Sequence, residues 1–229
     1  MGELAARIAA VKERIAAAAA RSGREPEEIE LIAVTKTVEV PRIREAIVAG
    51  ITCLGENRVQ ELTAKYREIG QEVEWHLIGH LQTNKVKYIV DKVALVHSLD
   101  RLSLARELNK RALACERAVP VLVQVNIAEE ESKFGLHQDE VLPFLKQIQS
   151  MDGLKVQGLM TIAPFTEEPE TVRPVFRALS RLAGEIADLG LPGVEMRYLS
   201  MGMTNDFEVA IEEGANMVRI GSAIFGERS

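Results

Sequence analysis

From residue 30 onward, short apolar stretches that favour β-structure alternate with polar stretches that favour helix. The predicted strands are 30–36, 51–54, 75–79, 93–98, 120–127, 154–160, 196–200 and 216–220. Helix-prone segments follow them near 41–49, 57–69, 82–90, 101–117, 138–150, 169–189 and 204–213, with a closing turn or helix at 223–227. No Pro- or Ser-rich linker divides the chain. Eight strand–helix units in succession predict a single (β/α)8 TIM barrel domain spanning residues 1–229.

The alternative fold for this alternation is an open, doubly wound parallel sheet. A dinucleotide-binding sheet of that kind carries a glycine-rich turn after its first strand. No GxGxxG sequence follows 30–36, so the pattern favours the barrel. Ahead of the first strand, Leu4, Ile8, Val11 and Ile15 recur at helical spacing. They predict an additional N-terminal helix whose apolar stripe packs on the outside of the barrel.

Charge and cysteine content limit the partners of the chain. The chain has 28 Lys and Arg residues against 34 Asp and Glu, which gives a net charge of −6. It therefore has no general positive charge that would attract nucleic acid. Charged residues such as Glu3, Arg7 and Lys12 interrupt the alanine-rich start, which is therefore not expected to be a signal peptide or a membrane span. Cys53 and Cys115 lie far apart with no CxxC spacing. They indicate reduced thiols in a cytoplasmic protein, not a disulfide or metal framework.

A single lysine closes the first predicted strand. Lys36 lies where the apolar run gives way to a loop, and Pro41 marks the start of the next helix. In a barrel of this type the active site lies at the carboxyl ends of the strands. A lysine against apolar walls loses hydration, which favours a neutral amine able to form a Schiff base with a carbonyl. On this segment alone, a lysine that extends from the strand end into solvent explains the pattern better.

Two clusters of glycines and hydroxyls follow the last two strands. Ser200, Gly202 and Thr204 follow strand seven, and Gly221 and Ser222 follow strand eight. Barrel enzymes often bind a phosphate between these two loops, because backbone N–H groups and a helix N-terminus favour an anion. Helix capping by Ser and Thr is the alternative. Two such clusters in the two expected loops favour the phosphate site.

A Schiff-base lysine opposite a phosphate site indicates a phosphorylated aldehyde, for which pyridoxal 5′-phosphate (PLP) is the obvious candidate. Arg219, at the end of strand eight, would then face the pyridine nitrogen. A guanidinium offers only donors and stays charged. It would keep that nitrogen unprotonated and weaken the ring as an electron sink. A salt-bridged arginine at the rim is the alternative.

His76 and His80 flank the predicted end of strand three. Their i, i+4 spacing would suit a metal pair on a helix, but the segment is predicted to be strand and loop, and no HExxH sequence is present. We expect both to form hydrogen bonds at the rim, and no metal site is predicted.

Several motifs in order along the chain resemble those of the pyridoxal phosphate homeostasis protein family. They are Val34-Thr35-Lys36, Gly55-Glu56-Asn57-Arg58-Val59-Gln60-Glu61, Trp75 to Lys85, Val125-Asn126-Ile127, Ser132-Lys133-Phe134-Gly135, Gly158 to Ile162, Leu199 to Asp206 and Val218 to Gly226. The resemblance spans nearly the whole chain and implies a barrel of the alanine-racemase type.

The resemblance also implies a ligand and the residues that bind it. By motif position, the PLP site comprises Lys36, Asn57, Ser200, Gly202, Arg219, Gly221 and Ser222. It implies a cytoplasmic carrier or regulator that balances vitamin B6 and amino-acid pools, with PLP-dependent apoenzymes as candidate recipients. Other B6 vitamers, or phosphate alone, fit the same site. Lys133 is assigned either a role in handling PLP or that of a solvated loop lysine.

Little or no catalytic turnover is expected. Racemisation needs acid–base groups on both faces of the substrate, and in alanine racemase the second base is a tyrosine from an additional β-domain. No such domain is expected in this chain, and Tyr66, Tyr88 and Tyr198 are not placed as a second base. Two alternatives remain open: a low-activity, racemase-like PLP enzyme and a class I aldolase-type Schiff-base barrel.

Overall fold

Parallel strands form a closed barrel in the computed structural model, which describes residues 2–130 and 133–226. Within those ranges the order is that of the sequence, and the eighth strand pairs with the first. The strands are β1 (Glu30–Val34), β2 (Cys53–Glu56), β3 (Glu74–Leu77), β4 (Leu95–Leu99), β5 (Val119–Gln124), β6 (Leu154–Met160), β7 (Val194–Ser200) and β8 (Met217–Ile220). The predicted TIM barrel is confirmed.

Helices alternate with the strands. They are α1 (Glu3–Arg21), α2 (Val40–Val48), α3 (Val59–Ile69), α4 (Leu102–Ala114), α5 (Val141–Ile148), α6 (Arg173–Asp188), α7 (Phe207–Glu212) and α8 (Ser222–Phe225). The segment predicted as a helix at 82–90 is a 3₁₀ helix, Thr83–Tyr88. Thr, Asn, Val and Tyr all have weak α-helix propensity, which explains the difference.

The N-terminal helix packs on the outside of the barrel, as predicted. Leu4, Ile8, Val11 and Ile15 are all buried, and α1 contacts α7 and α8. Ion pairs from α1 to Glu208 and Glu212 on α7 add to this packing. The helix therefore supports the same side of the barrel that carries the β7 and β8 loops.

Two separate apolar cores lie on either side of the strands. The barrel interior holds a small cluster whose buried members are Ile32, Cys53, Leu95, Leu122, Met160 and Met217. A larger cluster fills the layer between the strands and the helices. Burial on both faces explains why the strands are almost continuously apolar in sequence. Cys53 is an interior side chain, as its position in strand two predicts.

No helix in 2–130 or 133–226 has both the length and the apolar character that a bilayer span requires.

Candidate functional site

A cavity of about 540 Å³ opens at the carboxyl ends of the strands. Its walls come from the ends of β1 and β8 and from the loops that follow β1, β2, β3, β6, β7 and β8. They are formed by Val34, Lys36, Asn57, Ile78, Ile162, Phe165, Thr166, Met203, Thr204, Asn205, Asp206, Arg219, Gly221 and Ser222. Five of the seven residues predicted for the site thus line one cavity. The other two, Ser200 and Gly202, do not line it.

Lys36 lies two residues beyond the end of β1. Its loop is held on both sides: the Thr35 N–H donates to Gly55 O at 3.0 Å, and the Thr37 N–H donates to Glu61 Oε2 at 2.8 Å. Thr37 has a φ of 60°, a conformation that non-glycine residues rarely adopt. The Lys36 side chain is exposed. Val34, Ile78 and Ile162 line the same cavity as Lys36, but they do not bury the lysine as the sequence suggested.

A buried polar network lies beneath the lysine loop. Lys65 Nζ donates to Thr35 O and to Glu56 Oε1, both at 2.6 Å, and the Thr35 hydroxyl donates to the same carboxylate oxygen at 2.7 Å. Glu56 is fully buried. Burial raises the pKa of its carboxyl group, and the hydrogen bonds from Lys65 and Thr35 oppose that shift. The network fixes the backbone from which Lys36 projects.

Hydroxyl groups from two loops meet on the opposite wall. The Ser222 hydroxyl donates to Thr204 Oγ1 at 3.2 Å, and both residues line the cavity. Ser222 is the first residue of α8, where backbone N–H groups have no partner within the helix. Asp206 Oδ1 accepts the Met203 N–H at 2.6 Å, which fixes the β7–α7 loop. Hydroxyls beside the first N–H groups of a helix are suited to an anion.

Arg219 forms part of the cavity floor. Its guanidinium donates to Ser200 Oγ at 2.5 Å and to Thr161 O at 2.8 Å. Burial lowers the pKa of Arg219 to about 10, with the charge of Asp206 opposing the shift. The side chain is still a cation at neutral pH. It is a buried, hydrogen-bonded residue, so the alternative of a salt-bridged arginine at the rim is wrong.

Ser200 and Gly202 lie just below the cavity. Ser200 is fully buried, and its hydroxyl lies between Arg219 and His97 Nδ1, 2.9 Å from the latter. Gly202 has a φ of 94°, and a Cβ there would lie 2.7 Å from Ala210 Cβ. Its carbonyl accepts the Arg219 N–H at 3.0 Å. Both residues position Arg219 and the β7–α7 loop; direct contact with a ligand stays a prediction.

The placement of His76 at the rim is wrong. His76 is the third residue of β3, is buried inside the barrel, and has its Nδ1 3.0 Å from His97 Nε2. His76 lies inside both the predicted strand 75–79 and the observed β3, so a strand residue had been counted with the residues that follow the strand. His80 does follow the strand and stacks on Phe134, with ring centroids 3.8 Å apart. Burial of His97, with nearby positive charge, lowers its pKa well below the usual range.

Several lining residues were not singled out from the sequence. Phe165 and Thr166 come from the long loop after β6, and Phe165 is 81% exposed at the cavity mouth. Asn205 and Asp206 belong to the Leu199 to Asp206 motif and follow the predicted hydroxyl cluster directly, but neither was assigned to the site. Lys133 does not line the cavity; its Nζ lies 2.6 Å from Glu130 Oε1. Residues 131 and 132, of which Ser132 belongs to the Ser132-Lys133-Phe134-Gly135 motif, lie outside the described residues.

Comparison with known proteins places this geometry in a family. The family model described as "Alanine racemase, N-terminal domain" matches residues 7–229. The pyridoxal phosphate homeostasis protein of Aquifex aeolicus (strain VF5) is 46% identical over 97% of each chain. The chain belongs to the pyridoxal phosphate homeostasis protein family. The Escherichia coli (strain K12) protein of the same name is 42% identical, over 100% of this chain and 98% of its own.

A solved structure extends the family likeness to the fold. PipY of Synechococcus elongatus PCC7942, in a structure described as having PLP bound, has a TM-score of 0.84 and is 32% identical. The match covers 98% of this chain and 100% of PipY. The family resemblance inferred from the motifs is therefore confirmed.

Proposed function

We propose that residues 1–229 act as one PLP-binding barrel domain that holds PLP as a Schiff base on Lys36. The protein would serve as a cytoplasmic carrier or regulator in vitamin B6 and amino-acid homeostasis. The observation that carries the proposal is one cavity with Lys36 on one wall and the Thr204–Ser222 hydroxyl pair on another. The names of the relatives and the PLP in PipY support the same ligand.

The residues of the cavity fit this ligand chemically. Its volume of about 540 Å³ is within the range of small-molecule sites. Asn57 lines it, and the buried side-chain oxygen of that residue has no hydrogen-bond partner among the described residues. The exposed lysine amine can react with an aldehyde. The unpaired amide oxygen can accept a hydrogen bond from a ring hydroxyl, and the pair of hydroxyl groups can donate to a phosphate. The other phosphorylated B6 vitamers share the ring hydroxyl and the phosphate.

Bond formation at Lys36 needs only the amine and the aldehyde. Lys36 would hold the aldehyde of the ligand through its amine, with one water released for each Schiff base formed. When bound, PLP supplies that aldehyde and an electron-withdrawing ring. The Glu56–Lys65 network holds the Thr35 backbone so that the amine projects into the cavity. The Thr204 and Ser222 hydroxyls orient the phosphate end.

The same geometry supports binding with little turnover. Arg219 is a cation with donors only, so it would keep a facing ring nitrogen unprotonated and the ring a weak electron sink. Among the described residues of the cavity wall, Asp206 and Lys36 are the only candidates for acid–base groups, and Asp206 Oδ1 already accepts the Met203 N–H. Direct delivery to PLP-dependent apoenzymes is a further part of the proposal, with Lys133 as a candidate participant.

Trapping with borohydride tests the anchor. Purified protein incubated with PLP should show a visible absorption band, and reduction should place a pyridoxyl group on Lys36 by peptide mass mapping. Lys36→Ala should lose both signals while keeping its circular dichroism spectrum. Lys85→Ala removes another lysine near the same end of the barrel and is expected to behave like the wild type.

Two outcomes would count against the proposal. One is full covalent labelling of another lysine in the Lys36→Ala protein. The other is a wild-type protein that takes up no PLP but is trapped with a sugar phosphate, which would favour the aldolase-type alternative.

A further inference from the structure

A second group of reactive side chains lies at the amino-terminal ends of the strands, opposite the cavity. Glu30 is the first residue of β1, Cys53 is the first of β2, and His76 is the third of β3. One carboxylate oxygen, the thiol sulfur and one imidazole nitrogen all lie within 4.8 Å of one another. Three different donor types thus meet at one point in the barrel.

Strand pairing fixes this meeting point. Gly55 of β2 pairs with His76, and Cys53 pairs with Glu74, so the donors come from neighbouring, rigid strands. Cys53 and His76 are each 2% exposed, whereas the Glu30 side chain is 31% exposed. A surface cavity lined by Glu30 opens at this end of the barrel. The Glu30 carboxylate is therefore the member of the group that is accessible from this cavity.

The orientation of His76 is set by residues deeper in the barrel. Its Nδ1 lies 3.0 Å from His97 Nε2, and His97 Nδ1 lies 2.9 Å from Ser200 Oγ. Donation in either direction along this chain fits the two distances. When His76 Nδ1–H donates to His97, the His76 Nε2 lone pair is available to an ion, and in the opposite direction the ion replaces the Nε2 proton. His76 Nε2 faces Glu30 Oε1 at 3.9 Å and Glu74 Oε2 at 3.8 Å. Metal-binding histidines are generally held in this way through their second nitrogen.

We propose that Glu30, Cys53 and His76 form a binding site for a divalent transition-metal ion, with Zn²⁺ as the preferred ion. Sulfur, nitrogen and oxygen ligands together are typical of Zn²⁺, and Glu74 or a water completes four-coordination. Donor atoms in a tetrahedral zinc site are roughly 3.3–3.8 Å apart. The three donor atoms must therefore come closer together when the ion binds, and the partly exposed Glu30 side chain at the strand end can make that movement. On binding, the ion replaces the thiol proton, which leaves to solvent.

Metal titration of the PLP-free full-length protein tests the site. After chelator treatment, Zn²⁺ should bind with one equivalent per chain by calorimetry and remain after gel filtration. Co²⁺ should give a thiolate charge-transfer band and intense visible bands, the signature of a tetrahedral site with a sulfur ligand. Cys53→Ser and Glu30→Gln should each weaken Zn²⁺ binding by at least about 10-fold. Cys115→Ser removes the exposed cysteine and should leave Zn²⁺ affinity unchanged.

Three results would overturn the proposal: no retained Zn²⁺, no thiolate band with Co²⁺, or wild-type affinity in Glu30→Gln. The last variant keeps the test decisive if Cys53→Ser fails to fold, because Glu30 is partly exposed at the first position of its strand. PLP trapping does not enter the readout, so neither outcome depends on the proposed function.

Discussion

At the scale of single residues, Lys65 and Glu56 contribute most to the geometry of the lysine loop. Lys65 is almost fully buried and Glu56 completely so, and their charged atoms lie 2.6 Å apart. Bringing such a pair out of water costs several kcal/mol per ion, which attraction and hydrogen bonds must offset. Glu56 Oε2 has no partner among the described residues. The pair is therefore better explained by the backbone position it imposes on Thr35 than by a gain in stability.

Removing one partner of this pair should be costly. Lys65→Met leaves the Glu56 carboxylate buried without its cation, and we expect the free energy of unfolding to fall by about 3–5 kcal/mol. Urea unfolding followed by circular dichroism measures the change. The double variant Lys65→Met with Glu56→Gln should recover most of the loss, because no uncompensated charge remains. Lys87→Met, at an exposed position, should shift the value by less than about 0.5 kcal/mol. Equal losses in the single and double variants would contradict this explanation.

At the scale of elements, the β7–α7 connection depends on a glycine. Gly202 combines a φ of 94° with a close approach to α7, where a Cβ would lie 2.9 Å from Phe207 Cα. Any larger residue must move the loop that carries Thr204 and Asp206 relative to the helix.

Gly202→Ala should therefore destabilise the protein by about 1–3 kcal/mol and weaken PLP uptake. The comparison is Gly184→Ala within α6, where a Cβ meets nothing within 4 Å. The free energy of unfolding of that variant should increase by about 0.5–1 kcal/mol, because alanine is the better helix former. Thermal unfolding of both proteins measures the opposite changes in stability, and PLP titration measures the change in PLP uptake. A Gly202→Ala protein as stable as the wild type would show that the loop is free to shift.

The elements also show what could be predicted from sequence. The barrel followed from strand–helix alternation. Lys36 was placed at the rim because it closes the first predicted strand, and Ser222 because Gly221-Ser222 follows the eighth. The predicted ends of several strands were wrong by about two residues, and His76, a residue within strand three, was counted with the residues of the rim. Because side chains alternate along a strand, small errors of this kind decide between rim and interior. The path of the loop carrying Phe165 depends on tertiary contacts and has no local signature.

At the scale of the whole molecule, pairing of β1 with β8 closes the barrel, so that the loops at the cavity unfold together with the rest of the protein. The protonation of Asp206, in the loop between β7 and α7, therefore affects the stability of the whole protein. Asp206 is buried, and burial raises the pKa of its carboxyl group above the ordinary value of 3.8, while the Met203 N–H and Arg219 oppose the shift. The folded protein therefore holds this proton more tightly than the unfolded chain does. Its contribution to stability is present below pH 3.8 and is lost as pH rises through the folded pKa.

Asp206→Asn removes this titration and keeps an oxygen that can accept the Met203 N–H. The free energy of unfolding of the variant minus that of the wild type should therefore increase with pH, starting near pH 3.8 and levelling off above the folded pKa. Any constant offset from losing the charge opposite Arg219 does not affect this slope. Urea unfolding at about pH 4, 5, 6 and 7 gives the difference directly. The exposed Asp139→Asn substitution should give a flat difference across the same series. A difference that decreases with pH would mean that Arg219 and the loop N–H outweigh burial, so that the charged carboxylate stabilises the fold.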